Sequence, residues 1–379
     1  MIYADNAATT QISNLAFEKM LPYLRGEYGN ASSQYTLGVQ ARRAIEHARK
    51  QVATAIGAKK DEISFTSGGS EANSWVMQGV AEHFRGEPIH IITSAIEHHS
   101  ILNACLTLEA RGVAVTYLPV NRDGQIDCET LKTAIRPNTK LVSIMFANNE
   151  TGTLQPIIEI GTYLRGKGIL FHTDAVQAVG HIPLDVNELC VDFLSASAHK
   201  FNGAKGTGFL YKRESIKIPP LIFGGGQEHS ERGGTENVAG IVALGYALEE
   251  SITEMPSVNE RLIILVQSTI NGLRKAIPDI QINGDGANRL TGTVNITFPH
   301  ASGEAMMHLL DLKGICVSTS SACNSGKDEP SHVLLALGLS EKQAKSSIRI
   351  SYGKYNTIDE VETIIQAIAD AYAKIVSTQ

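Results

Sequence analysis

Five cysteines in 379 residues are too few, and odd in number, for a disulfide framework. No two of Cys105, Cys128, Cys190, Cys316 and Cys323 are spaced as CxxC, so no structural zinc or other metal site is expected. No run of like charge forms a binding tail. The net charge of −6 supplies no field that would draw in nucleic acid or an anionic membrane. The opening residues, Met1-Ile-Tyr-Ala-Asp5, lack a basic segment and a long apolar run. They predict neither a signal peptide nor a membrane anchor, and hence a place in the cytosol. There is no internal repeat and no low-complexity tract.

What remains is an ordinary globular composition, long enough for a sizeable core. Residues 41–57 place Ala44, Ile45, Ala48, Val52 and Ile56 on one helical face, stopped by Gly57. Strand-like runs at 62–66, 89–93, 113–118, 141–146 and 168–172 alternate with helices over residues 60–212. That alternation predicts βαβ units and a mostly parallel sheet, whose ligands sit beyond the carboxyl ends of its strands. Residues 237–253 read as a helix broken near Pro256, and a second helix is expected over 257–277. The remainder reads as a smaller α+β unit that ends in a helix capped by Thr357 and Glu360.

Several residues at predicted strand ends have chemistry to offer. Lys200, in Ser195-Ala-Ser-Ala-His-Lys200, suits a Schiff-base lysine, and Asp174 could hold a protonated pyridine nitrogen. Together they suggest pyridoxal phosphate. The plainer alternative is a surface lysine beside a structural histidine. Ser67-Gly-Gly-Ser70 opens a helix and is either a phosphate cradle or an ordinary turn and cap. His98 and His99 either stack on a flat cofactor or merely cap a helix. Arg349, among Ile348 and Ile350, needs an anion: a substrate carboxylate or a buried salt-bridge partner. Cys105, Cys190 and Cys316 read as small buried hydrophobes. Cys323 lies among small polar residues, where an exposed, reactive thiol on a mobile loop is expected, or an incidental one. Gly224-Gly-Gly226 and Arg232-Gly-Gly-Thr235 suit a loop crossing a ligand or a second subunit.

In order along the chain, these motifs resemble the cysteine desulfurases, pyridoxal-phosphate enzymes of fold type I. The resemblance runs from Tyr3-Ala-Asp-Asn-Ala-Ala-Thr-Thr10 to Ser347-Ile-Arg-Ile-Ser-Tyr-Gly-Lys-Tyr355. Its Ser-Ser-Ala-Cys loop looks like that of the group serving nitrogenase and general iron–sulfur assembly. The resemblance implies a large α/β domain over 16–255 with a mostly parallel seven-stranded sheet. It also implies a small α+β domain, 1–15 and 256–379, that carries the Cys323 loop. Lys200 would bind the cofactor and move the Cα proton, Asp174 would pair with the ring nitrogen, and His98 would stack on the ring. Gln177 and Asn149 would contact the ring oxygen. Gly69, Ser70, Ser197 and His199 would hold the phosphate, with Thr235 donated by the partner of a homodimer. Arg349 and Asn149 would bind the carboxylate of L-cysteine, and Cys323 would carry the sulfur as a persulfide. L-Alanine would be the other product. The acceptor would be an iron–sulfur scaffold or a tRNA- or cofactor-thiolation enzyme. The chain departs from the usual pattern at Ala31, Tyr35 and Ala204. It also stops soon after its last helix, where members that dock the scaffold often extend, which makes tRNA thiolation or another dedicated acceptor a serious option beside the scaffold. An aminotransferase, a β-lyase or a selenocysteine lyase would share Lys200 and Asp174, while a non-catalytic sulfur carrier would need only Cys323.

Overall fold

A computed structural model describes residues 1–319 and 329–378. Its largest sheet has seven strands. In spatial order they are Ile63–Thr66, Gly208–Lys212, Phe193–Ser197, Leu170–Asp174, Thr139–Ser143, His90–Ser94 and Ala114–Leu118. Only Gly208–Lys212 runs antiparallel to its neighbours. The rest share one direction, so Thr66, Ser94, Ser143, Asp174 and Ser197 all end on one edge. Helices cover both faces, and the inner strands His90–Ser94 and Phe193–Ser197 are buried along their whole length, as a parallel sheet requires.

A second, antiparallel sheet joins Ser318–Thr319, Ser347–Ser351, Thr293–Thr297 and Gln281–Asn283. Ile2–Tyr3 pairs in parallel with Ile315–Cys316, which ties the start of the chain to this region. Most apolar residues of the two regions form separate cores, while Leu290 joins the first and Val333 and Leu337 pack with Ile96 and Met145.

One helix enters both. Residues Val238–Ala276 form a continuous helix that contains Pro256, so the expected break there does not occur. At 1.5 Å per residue it spans about 58 Å. Its first half buries Ile241, Leu244 and Leu248 in one core, and its second half buries Leu265, Ile270 and Leu273 in the other. Anchorage at both ends outweighs the local cost of proline, about 3 kcal/mol in a helix interior. Beside the proline, Lys354 Nζ bridges Glu250 (3.0 Å) and Glu254 (2.9 Å). Cys105 and Cys190 are buried as expected, whereas Cys316 is only half-buried because its strand has a single partner. No described helix is long and apolar enough to cross a membrane.

Candidate active site

The strand ends open into a cleft of about 340 Å³. Gly69, Ser70, His98, Asn149, Asp174, Gln177, Ser197, His199, Lys200 and Arg349 all line it. Thr235 does not; it is exposed in the loop before the long helix. Cys323 lies outside the described residues.

The turn after Thr66 explains its glycines. Gly68 stands at φ 153°, outside the range of most side-chain-bearing residues, and precedes the helix Gly69–His83 without any side chain capping that helix. The helix therefore presents free backbone N–H groups and its positive end, a site for an anion. The opposing strand must also come close. A Cβ on Gly208 would clash with Ala196 O and lie 2.7 Å from Gly68 Cα.

Asp174 ends its strand almost fully buried. Its Oδ1 accepts from Val176 N (3.0 Å) and its Oδ2 from Asn73 Nδ2 (2.6 Å). Asn73, one turn into the same helix, also donates to Ser100 Oγ (2.9 Å). The Ser100 hydroxyl is 2.8 Å from His98 Nδ1, which in addition accepts Ser100 N–H at 3.1 Å. With Nδ1 accepting, the imidazole carries its proton on Nε2. Burial lowers the affinity of His98 for a second proton, and Lys200 and His99 add to this while Asp174 opposes it. His98 thus both caps a helix and faces the cleft.

Lys200 Nζ donates to the carbonyls of Ala7 (2.6 Å) and Ala8 (2.8 Å). Its own carbonyl accepts His181 Nε2–H at 2.9 Å. Gln177 Nε2 also donates to Ala7 O, at 2.9 Å. Asp5, Ala7 and Ala8 are therefore part of a wall of the site. Beside Lys200, burial and the Lys200 and Lys205 charges push the His199 pKa down to about 4, so this imidazole is neutral. Arg349 sits across the cleft on the second sheet. Its Nη2 is 2.6 Å from Asp5 Oδ1 and its Nη1 donates to Asn149 O at 2.8 Å, while the buried Nε has no partner among the described residues.

Asn73, Ser100, Asp5 and the Ala7 and Ala8 carbonyls escaped the reading of the sequence. Asn73 left no clear clue, since its helix also carries Glu71, Ser74 and Gln78, and only its burial among Ala72, Trp75, Val76 and Met77 sets it apart. Chemically, the cleft can hold an anion at the helix start, a protonated ring nitrogen at Asp174 and a carbonyl carbon at Lys200. Among the described residues, no cluster of three or more histidine, cysteine or acidic side chains is placed to hold a metal.

The aminotransferase class-V family matches residues 2–364. A Methanosarcina thermophila protein named cysteine desulfurase IscS is 48% identical over 374 residues, 99% of this chain and 92% of that protein. Among solved structures, a NifS-like protein superposes with a TM-score of 0.93 at 37% identity, covering 98% of this chain and 99% of its own. SspA in complex with cysteine gives a TM-score of 0.83 at 38% identity, covering 94% of this chain and all (100%) of its own.

Proposed function

Because the chain belongs to the class-V aminotransferases and is a pyridoxal-phosphate-dependent cysteine desulfurase, we propose that the described cleft is where L-cysteine gives up its sulfur. Its residues fit the cofactor. The uncapped helix start at Gly69 and Ser70, with Ser197 and His199, suits the phosphate. Asp174 suits the ring nitrogen, His98 the ring face, and Gln177 and Asn149 the ring oxygen. Thr235 of the partner subunit would complete the phosphate site in a homodimer. The observation that carries this reading is that Asp174 and Lys200 follow adjacent parallel strands into one cleft, and a hydrogen-bonded chain links Asp174 to His98.

When bound, the cofactor supplies an electron sink for charge developing at the substrate Cα. Everything else falls to the protein. Arg349 and Asn149 hold the substrate carboxylate. Lys200, once free of the cofactor, removes the Cα proton. His98, neutral with its proton on Nε2, handles the proton of the substrate thiol. Cys323 as thiolate takes the sulfur. One carbon–sulfur bond breaks and one sulfur–sulfur bond forms, so L-cysteine and the Cys323 thiol become L-alanine and a Cys323 persulfide. No external oxidant is needed.

The acceptor is an iron–sulfur scaffold or a tRNA- or cofactor-thiolation enzyme, met in the cytoplasm. We assign 16–255 to a large domain and 1–15 with 256–379 to a small one, a division supported by the largely separate packing of the two main cores. The similarity to a structure solved with cysteine favours cysteine as the substrate. The test compares alanine formed from L-cysteine with amino transfer to a keto acid. The expected result is alanine without transfer, reduced roughly a thousandfold in Lys200→Ala. Keto-acid-dependent transfer faster than alanine formation would make the protein an aminotransferase instead.

A further inference from the structure

We propose that Asp5 sets the affinity for carboxylate-bearing ligands by occupying Arg349 until the ligand displaces it. This rests on the reading of Arg349 as the carboxylate anchor. Arg349 is 5% exposed, in the middle of the strand Ser347–Ser351. Its cross-strand neighbours, Asn295 and Ser318, are neutral. A cation so placed needs an anion, since a buried unpaired charge is strongly destabilising. Asp5 supplies it at 2.6 Å, and both side chains line the cleft. Asp5 is itself fixed by its backbone bridge to Ser351 on that strand.

A guanidinium binds a carboxylate best through two parallel N–H groups. In this site Nη2 is engaged by Asp5 and Nη1 by the Asn149 carbonyl, while Nε is buried and has no partner among the described residues. An incoming amino acid therefore competes with Asp5 for the guanidinium. A ligand with a full negative charge can win that contest, and a thiol amine without a carboxylate gains nothing from it. The same contest favours turnover. L-Alanine keeps the carboxylate of the substrate, so Asp5 reclaims Arg349 and helps the product leave.

The experiment measures binding of L-alanine and of cysteamine, which lacks the carboxylate, to the cofactor-loaded enzyme by difference absorbance, alongside KM for L-cysteine. Asp5→Asn removes the competing charge and keeps the shape. It is expected to lower the L-alanine dissociation constant and the KM by about tenfold, and to leave cysteamine binding where it was. Asp5→Ser should act in the same direction, and it stands in if the amide variant does not fold. Alanine binding equal to or weaker than wild type in a cofactor-loaded Asp5 variant overturns the proposal. So does an equal gain for cysteamine. Arg349→Lys separates the two readings. Undiminished alanine affinity in that variant removes Arg349 as anchor, whereas lost affinity there without tightening in Asp5→Asn removes only the role of Asp5.

Discussion

Glu97, one residue before His98, has no exposed surface, and burial lifts its pKa to about 8. Ser94 Oγ at 2.6 Å and Met145 N at 2.9 Å donate to one carboxyl oxygen, but they do not offset the lost hydration. From its ordinary value of 4.5 up to about 8, the folded chain holds a proton here that the unfolded chain releases. The resulting stability is full below 4.5 and is lost as pH rises through 8. His90 and His172 act oppositely. Burial lowers them to about 4 and about 3, so their contribution is present above 6.5 and is lost as pH falls. Glu97→Gln should therefore gain on wild type as pH rises, with a melting advantage at least about 2 °C larger at pH 9 than at pH 4.5. A wild type that gains on the variant as pH rises would mean that the carboxylate is ionised and used. At this scale the sequence reveals residues whose chemistry is unusual at a strand end, such as Lys200 and Asp174. Asn73 and Asp5 become important only through their partners, Asp174 and Arg349, which lie 101 and 344 residues away in the chain. Sequence left Arg349 as either an anchor or an ion-pair partner, and in the structure it is paired with Asp5 and also faces the cleft.

Elements were legible where a local pattern and tertiary packing agree. The strands from Ile63 to Asp174 fall close to where their apolar runs predict, most of them because buried parallel strands are apolar on both faces, the half-buried edge strand Ala114–Leu118 excepted. The long helix shows the opposite. Proline is a strong local signal, yet burial on either side carries the helix through Pro256. The cradle turn depends on a neighbouring element in the same way. Gly208 is needed for its lack of a side chain, since the space a Cβ would take is already filled by Gly68 Cα and Ala196 O. Gly208→Ala should push the turn away from the helix start and weaken cofactor binding by about tenfold or more, read by titrating the stripped protein with pyridoxal phosphate. Affinity equal to wild type would show that the turn does not hold the phosphate.

The whole molecule places two sheets around one cleft: one brings Asp174 and Lys200, the other Arg349. The start of the chain binds them together, since Ala7 and Ala8 hold Lys200 while Asp5 holds Arg349. The resemblance of Tyr3–Thr10 to a family motif marked this segment, but its local pattern assigned no role to its backbone carbonyls, which any residue would supply. The account's central claim is that this cleft loosens the sulfur of L-cysteine and that Cys323 collects it. The most direct measurement is mass spectrometry of the cofactor-loaded enzyme after one turnover with L-cysteine and no acceptor. The account predicts one added sulfur atom on the peptide containing Cys323, matched by one equivalent of L-alanine, and neither in Cys323→Ala, which should keep its yellow bound cofactor. Alanine formed at the wild-type rate by Cys323→Ala, or added sulfur on another cysteine of the wild type, would contradict it.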